Sequence, residues 1–512
     1  MKFITTILLL VTSISVQAQD KSLLQSMNET INDWMWWTQD VAEFIFMSVP
    51  IGDGIPFVLI WLVVGAIFFT FKMNFINISG FKYAIDIVKG KFDDHLKGDK
   101  TEEDAAGQVS HFQALATALS GTVGLGNIAG VAVAVAAGGP GATFWMIIAG
   151  LFGMASKFVE CTLGVKYREV LPDGTVSGGP MYYLNRGLAK RNFPIFGKLL
   201  GGFFAICCIG GSLGGGNMFQ INQAREQFVN LPIFEDTFLV TEGGWVLFGI
   251  IVAIAVAVVI IGGIQSIAKV TDKIVHFMCG LYVIAAVVVL GANFGEIPDA
   301  FGSIISGAFS PEAAFGGFLG VLIQGFRRAA FYNEAGIGSA SIAHAAVKTK
   351  EPVTEGLVAL LEPFIDTVVV CTMTALVLVI TGVYTNPELS GVGMTSVAFE
   401  SVFGSLANFI LTIAVVLFAF STMISWSYYG LKSWGYLFGG SKQSEMIYKA
   451  IFCLFVVIGS AMSLGNVIAF SDSMIFAMCF PNIIGLYIMS GEVKGDLNSF
   501  VSRVKSGEIK SS

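Results

Sequence analysis

The sequence predicts an all-α polytopic membrane protein with about eleven transmembrane helices, and three observations support this fold class. The chain has 512 residues, of which 54% are hydrophobic and only 13% are charged. Its mean hydropathy is +0.75, a value typical of membrane proteins rather than of soluble multidomain enzymes. Apolar stretches near the roughly 20 residues that a helix needs to cross a bilayer recur along the whole chain.

The first 18 residues have the pattern of a secretory signal peptide. Lys2 precedes an apolar stretch, residues 3–11, and Ala18 ends a small-residue cleavage site. A retained anchor helix is the alternative, but the apolar stretch is too short to span a bilayer. Cleavage leaves residues 19–52 as a periplasmic segment.

The predicted spans all lie in one transmembrane domain, residues 53–490, and residues 491–512 are predicted to be a cytoplasmic tail. The approximate bounds of the spans are 56–71, 112–137, 141–163, 199–224, 245–264, 274–291, 316–346, 356–382, 406–429, 450–463 and 473–489.

Loop charges predict the orientation of these spans. If the first span enters from outside, Lys and Arg collect in the inner loops, whereas the outer loops carry Arg225 and otherwise acids. This distribution follows the positive-inside rule, and a miscount by one span would reverse it. We therefore expect a multi-pass protein of the bacterial inner membrane, with a periplasmic N-terminus and a cytoplasmic C-terminus.

One predicted span, 112–137, contains a segment that is a poor helix former. Residues 121–130 include four glycines, each costing about 1 kcal/mol in a helix relative to Ala. Glycine-mediated helix packing is the alternative, but it leaves unexplained the polar Ser120, Thr122 and Asn127. Irregular backbone at membrane depth is tolerated where it lines a cavity, so we predict a broken helix.

A second span, 316–346, is also interrupted by glycine and polar residues, at 333–340. It follows the first broken span by five spans, and because five is odd it enters from the opposite side. The pattern predicts an inverted 5+5 repeat of residues 112–291 and 316–489, with one extra N-terminal helix. Paired broken helices of this kind form the midplane binding sites of secondary transporters.

The first break offers groups that suit a cation and a carboxylate. Asn127 has a side-chain oxygen, and Ser120, Thr122, Val123 and Gly124 have carbonyls that a broken helix frees; such oxygen ligands suit a hard monovalent cation. The helix that begins near Asn127 directs its N-terminal dipole into the gap, where a carboxylate is favoured.

Glu334 would be a charged group at membrane depth, which costs about 2.5–3.5 kcal/mol when unpaired. Arg327 lies seven residues earlier on the same predicted helix face, and Arg328 follows it. These residues are candidates for a gate or a structural ion pair. The alternative is that the arginines are ordinary solvated charges near the outer surface.

Other polar residues in the spans have two interpretations each. Gln220 lies in a glycine-rich stretch and is a candidate substrate contact or an interhelical hydrogen bond. Ser421 and Thr422 are candidate ion ligands, or they bond their own backbone as hydroxyls in helices often do. Glu362 and Asp366 share a helix face and either bind cations or cap a cytoplasmic helix end.

Several stretches together resemble the alanine or glycine:cation symporters: 121–134, 138–146, 178–183, 333–340 and 364–367. This resemblance covers about residues 56–490 and implies a leucine-transporter-type fold with Na+-coupled uptake of a small neutral amino acid. It implies substrate contacts at Thr122, Leu125, Gly126, Gly216, Gln220 and Trp426. It also implies a sodium site that uses the Val123 carbonyl with Ser421 and Thr422, to which we add Asn127.

The chain departs from the family pattern at three places. Leu125 stands where Thr is frequent, residues 328–334 replace a usual Arg-Gly-x-Phe-Ser-Asn-Glu, and Asn222-Gln223 replaces Asn-Ser. The larger side chains at Leu125 and Tyr332 would reshape the substrate pocket.

The expected function is sodium-coupled symport of a small neutral amino acid by alternating access, with Na+ as coupling ion. We expect no cofactor, no metal beyond the transported cation and no nucleic-acid partner. A proton-coupled transporter, or one with another substrate on the same fold, is the alternative. An intramembrane enzyme is disfavoured because no HExxH motif is present, and a passive channel would not need two broken helices.

Overall fold

The structure is a computed structural model that describes residues 37–50, 54–92, 106–171, 174–229, 231–234, 237–310, 317–462 and 464–509. The predicted signal peptide, residues 1–18, lies outside the described residues. Apart from two short antiparallel strand pairs, the described chain is helical. The strands are β1 Ser48–Val49 with β2 Ile55–Pro56, and β3 Glu169–Val170 with β4 Val176–Ser177.

The helices are given in chain order. In the first half they are α1 Trp37–Ile45, α2 Phe57–Lys72, α3 Ile76–Ser79, α4 Phe81–Val88, α5 His111–Thr122, α6 Ala129–Gly138, α7 Gly141–Lys166, α8 Pro180–Ala189, α9 Pro194–Val229, α10 Glu242–Ile260, α11 Gly263–Ala292 and α12 Ile297–Phe309. In the second half they are α13 Gly317–Asn333, α14 Ala340–His344, α15 Pro352–Thr381, α16 Gly391–Phe403, α17 Leu406–Phe438, α18 Lys442–Ala461 and α19 Leu464–Lys505.

Eight of the described helices are long and apolar enough to cross a membrane: α7, α9, α10, α11, α15, α17, α18 and α19. The bent pair of α5 and 125–138 makes a ninth, and α2 is a shorter apolar helix of 16 residues. The all-α polytopic fold class is thus confirmed. The count of about eleven spans and the inverted repeat stay predictions.

The last helix is longer than its apolar span suggested. It continues to Lys505, and Val493, Leu497 and Phe500 are buried. Lys166 binds both Glu492, at 2.7 Å, and Asp496, at 2.6 Å. Residues 491–505 are therefore the packed end of α19. The signal was present in the sequence, because the three apolar positions recur at helical spacing.

The first predicted interruption is present. Helix α5 ends at Thr122, a short 3₁₀ segment follows at Leu125–Asn127, and α6 begins at Ala129, with a bend of 57° between the two halves. The backbone amide of Gly124 donates to Oδ1 of Asn127 at 2.9 Å. The polar side chain in this stretch thus satisfies an amide that the broken helix leaves free.

The second predicted interruption is present as well. Helix α13 ends at Asn333, and Glu334 adopts a φ of 54°, which is unusual for a non-glycine residue. Gly336 and Gly338 have φ angles of 88° and 97°, a region that glycine adopts without steric cost. Helix α14 then begins at Ala340.

Two further helices contain π-helical turns. Gly214–Met218 forms one within α9, and Phe364–Cys371 forms the other within α15. Such turns occur frequently at functional sites because they shift the register of the side chains that follow. Gly215 of the first turn lines the cavity described below, and Asp366 of the second turn contacts Asn127 of the first break.

Candidate substrate and cation site

The two helix breaks meet at a small cavity in the protein interior. Its volume is about 20 Å³, enough for about one water molecule. The residues that line this small cavity are Gly121, Thr122, Gly124, Gly126, Gly215, Gln220, Phe331, Tyr332, Glu334, Thr422, Trp426 and Ile475. They come from α5, the first break, α9, α13 with the second break, α17 and α19.

Four of the six predicted substrate residues line the small cavity: Thr122, Gly126, Gln220 and Trp426. The other two do not line it. Leu125 is fully buried in the apolar core, and Gly216 packs against Trp426, whose Cβ would be 2.3 Å from an added Cβ. Gly216 therefore gives the indole room, and Leu125 is part of the apolar core.

Gln220 directs an unused acceptor at this site. Its Nε2 donates to the Gly215 carbonyl at 2.9 Å, whereas its buried Oε1 has no hydrogen-bond partner. A Cβ on Gly124 would lie 3.5 Å from that oxygen. A buried acceptor without a partner is costly, so a ligand donor in the cavity would satisfy it.

Trp426 holds the end of α5. Its Nε1 donates to the carbonyl of Gly121 at 3.2 Å, one of the acceptors that the end of a helix leaves without an intrahelical partner. The indole is buried, with 2% of its surface exposed. Trp426 therefore forms a wall of the small cavity and fixes the first break.

The predicted sodium residues differ in whether their hydroxyl groups already form hydrogen bonds. The Thr422 hydroxyl has no hydrogen-bond partner and lies against Gly124, where an added Cβ would be 2.7 Å from Oγ1. The Ser421 hydroxyl donates to the Phe418 carbonyl at 2.9 Å, the backbone bond that was the alternative. Val123 is buried at the C-terminal end of α5.

Asn127 does not line the cavity but ties the break to α15. Its Nδ2 donates to Oδ1 of Asp366 at 2.6 Å and also contacts the Asp366 carbonyl at 3.2 Å. Asp366 is fully buried, and Thr367 donates to its other oxygen at 2.7 Å. Asp366 therefore sits beside the first break, whereas Glu362 lies 3.4 Å from Lys157. Neither acid caps a helix end.

The structure corrects the predicted pairing of Glu334 with the arginines. Arg327 binds Asp472 at 3.0 Å, and Glu334 accepts a hydrogen bond from Ser339. The reason is local. Helix α13 ends at Asn333, so the seven-residue spacing no longer places Arg327 and Glu334 on one helix face. Glu334 lines the small cavity, and Arg328 lines a different one.

A large cavity of about 720 Å³ lies next to the small one. Phe331 and Tyr332 line both cavities and so separate them. The Tyr332 ring packs directly on the first break, since a Cβ on Gly126 would be 2.3 Å from the ring and one on Gly130 would be 1.8 Å from Oη. Gly126 and Gly130 thus provide the groove that Tyr332 fills.

Sequence reasoning did not identify Phe331, Ile475 or Asp472 as members of these cavity walls. Phe331 and Ile475 lack any polar signal, because an apolar residue in an apolar span has no distinguishing feature. Asp472 did have a polar signal in the sequence, because it is the acid that directly precedes the last predicted span. Intramembrane acids are expensive and are frequently functional.

Comparisons with known proteins identify the family of the chain. The model of the sodium:alanine symporter family matches residues 39–512. The sodium/alanine symporter AgcS of Methanococcus maripaludis is 41% identical over 459 residues, covering 89% of this chain and 96% of that protein. The probable sodium/glutamine symporter GlnT of Bacillus subtilis is 33% identical over 443 residues, covering 86% and 87%.

Among solved structures, the chain is similar to MhsT in complex with L-phenylalanine, with a TM-score of 0.46 and 15% sequence identity. The match covers 76% of this chain and 99% of that one. The family match and the identity to AgcS are extensive enough to assign the family. This multi-pass membrane protein therefore belongs to the sodium:alanine symporter family of cation-coupled amino-acid symporters.

Proposed function

We propose that the protein couples the inward movement of Na+ to the uptake of a small neutral amino acid by alternating access. One observation supports this most directly: residues of both helix breaks line the same small cavity. Gly124 and Gly126 come from the first break, and Glu334 comes from the second. Secondary transporters bind substrate and coupling ion where two such broken helices meet.

The chemistry of the small cavity suits a zwitterion. The Glu334 carboxylate and the unpartnered Oε1 of Gln220 are acceptors for an ammonium group. The amides at the start of the 3₁₀ segment and of α6 favour a carboxylate. A free amino acid carries both groups within a few bonds of each other, so one molecule satisfies both ends of the site.

The walls favour a small side chain. Trp426, Phe331, Tyr332 and Ile475 close the cavity on its apolar sides, leaving a volume of about 20 Å³. A substrate enters only if these side chains move slightly, and every added methylene demands further displacement in a close-packed interior. We therefore propose alanine or glycine rather than glutamine as the preferred substrate.

We place the cation at the first break. Thr422 offers a free hydroxyl, and Val123 offers its carbonyl at the end of α5. Asn127 holds Asp366 against this break at 2.6 Å, so a carboxyl group lies next to the neutral oxygens. Hard oxygen ligands with one carboxylate suit Na+. Ser421 donates its hydroxyl hydrogen to the Phe418 carbonyl, which leaves the oxygen lone pairs available as a third neutral ligand.

The two unequal sides of the site support the proposal of alternating access. Phe331 and Tyr332 form the thin layer that separates the small cavity from the large one. On the other side, Arg168 donates to the carbonyls of Ala345 and Val347 at 2.9 and 2.6 Å, and so secures the segment that follows α14. We propose that the large cavity opens to the periplasm of a bacterial inner membrane and that the Arg168 side is cytoplasmic.

Uptake into proteoliposomes tests this function. Sodium entry provides about 2.3 kcal/mol per 100 mV in addition to its concentration gradient, so an inward Na+ gradient with an inside-negative potential should concentrate labelled alanine or glycine. Vesicles with K+ in place of Na+ are the control, and a competition panel that includes glutamine ranks the substrates. A failure to accumulate any small amino acid under a Na+ gradient would contradict the proposal. Uptake driven by a pH gradient without Na+ would favour proton coupling.

A further inference from the structure

Charged side chains are buried together between α5, α7, α14 and α15, next to the site but largely unused by it. This buried charge cluster consists of Lys157, His111, His344, Glu160, Glu334, Glu355, Glu362 and Asp366, each at most 5% exposed. With both histidines neutral, five carboxylates face one lysine. Uncompensated charge in the interior costs several kcal/mol per ion, so protons or bound cations must balance the excess.

The cluster contains a continuous row of contacts that begins near the protein surface. His111 lies in the first turn of α5 beside the exposed Ser110, and its Nδ1 contacts Oε2 of Glu355. The other oxygen of Glu355 contacts Nδ1 of His344 at 2.5 Å. On the far side of its ring, Nε2 of His344 lies 3.4 Å from Glu362, and Glu362 lies 3.4 Å from Lys157.

The inner end of this row has unused hydrogen-bonding capacity. Lys157 Nζ, His344 Nε2 and both carboxylate oxygens of Glu362 are buried without a hydrogen-bond partner, as is Oε2 of Glu160. Orphaned polar atoms are rare in protein interiors, and several together indicate a site for water molecules or ions. Histidine and carboxylate groups connected by water are the usual elements of a proton pathway.

Other titratable groups around the cluster are mainly thiols and phenols. Electrostatic contacts reach Cys161 on α7, Tyr183 on α8, Cys208 on α9 and Tyr429 on α17. The guanidinium of Arg168 lies near Glu355, at the outer end of the row. These neighbours supply no second cation beside Glu362, where the excess of carboxylates is greatest.

We propose that the Glu362 end of the buried charge cluster binds a proton when Na+ leaves the first break and releases that proton when Na+ binds again. The row His111–Glu355–His344 carries the proton between water at the His111 side and Glu362. This inference rests on the proposed sodium site, because Glu362 is one helical turn from Asp366 and senses the cation by Coulomb interaction. The proton and Na+ replace each other, so the excess negative charge of the buried carboxylates is always partly neutralised by one of the two cations.

Calorimetry on the purified full-length protein tests the exchange. NaCl is titrated at constant ionic strength and constant pH, in phosphate and in Tris, two buffers whose heats of ionisation differ. If protons are released, the two buffers give different heats of Na+ binding. The difference equals the number of protons released multiplied by the difference between the heats of ionisation of the two buffers. We also expect Na+ affinity to rise with pH, by up to about tenfold per unit for one competing proton.

Variants identify the groups. Glu362→Gln should keep Na+ binding but lose both the buffer dependence and the pH dependence. His344→Gln should slow proton release, followed with a pH-sensitive dye after rapid mixing with Na+. The matched control is His276→Gln, because His276 is 63% exposed on α11 and contacts Asp272 outside the cluster; its proton release should equal that of the wild type.

The wild-type measurement decides the proposal even if Glu362→Gln does not fold. Equal Na+ binding heats in the two buffers would overturn the proton exchange and leave the proposed symport intact. If Na+ produced no binding heat in either buffer, both the exchange and the proposed sodium coupling would fail. A normal rate of proton release in His344→Gln would remove the relay and retain only the proton-binding site.

Discussion

The side-chain amide of Asn127 donates to Oδ1 of Asp366 at 2.6 Å, across 239 positions of sequence. This hydrogen bond connects the first helix break to the π-helical turn of α15. Because Asn127 also accepts from the amide of Gly124, a single side chain both closes the break and positions a buried carboxylate beside it.

Asn127→Ala should abolish stabilisation by Na+ while the protein still inserts in the membrane. The variant frees the Gly124 amide and leaves Oδ1 of Asp366 without its donor. In the wild type, Na+ at a hundred times its dissociation constant should stabilise the folded state by about 2.7 kcal/mol. The melting temperature with Na+ and with K+ measures this. Asn293→Ala, which loses only a bond to its own helix, is the control and should keep the Na+ effect. An equal Na+ effect in Asn127→Ala would remove Asn127 from the cation site.

Gly126→Ala should block transport because the added methyl would lie 2.3 Å from the Tyr332 ring. Overpacking of this kind costs about 1–3 kcal/mol and pushes the ring away from the break. Initial uptake rates in proteoliposomes measure the effect. The control is Gly291→Ala, since nothing lies within 4 Å of a Cβ at that position. Tyr332→Ala in the Gly126→Ala background should recover part of the activity, and no recovery would argue against the clash with Tyr332.

Tyr332→Ala should open the layer between the two cavities. A cysteine introduced at Gln220, which lines only the small cavity, should then react faster with a membrane-impermeant thiol reagent added from the periplasmic side. We expect an increase of at least tenfold, because the ring that covers Gly126 and Gly130 is removed. Phe219→Ala, a change in the wall of the large cavity, is the matched control. Unchanged reactivity in Tyr332→Ala would mean that this side chain does not separate the cavities.

Arg327→Gln should destabilise the protein by about 1–3 kcal/mol, because it leaves the buried Asp472 carboxylate without its partner at 3.0 Å. The double variant Arg327→Gln with Asp472→Asn should regain much of the lost stability, because neither residue then leaves an unpaired charge. Thermal unfolding of the single and double variants measures the coupling. Arg186→Gln is the comparison, because its pair with Glu169 is exposed on both sides and should contribute little. If the destabilisations of the two single variants added up in the double variant, the ion pair between Arg327 and Asp472 would not contribute to stability.

Local sequence was sufficient to locate both helix breaks. Glycine lowers helix stability at its own position, and the polar residues beside it have no reason to lie in an apolar span unless they bind something. The same reasoning made Gln220 and Thr422 candidates, and the family resemblance added Trp426; all three line the small cavity. It failed for Glu334 and Arg327, because it assumed that helical spacing continued through the break.

The sequence by itself determined that the chain is a helical membrane protein with two interrupted helices, because hydropathy and glycine content act within a few residues of each position. Only the tertiary structure decided which side chains meet. Asn127 reaches Asp366, Arg327 reaches Asp472, and His111 reaches Glu355 across 244 positions of sequence. The physical reason is that such contacts depend on how whole helices pack, and packing is set by the combined shape of many side chains rather than by any local pattern.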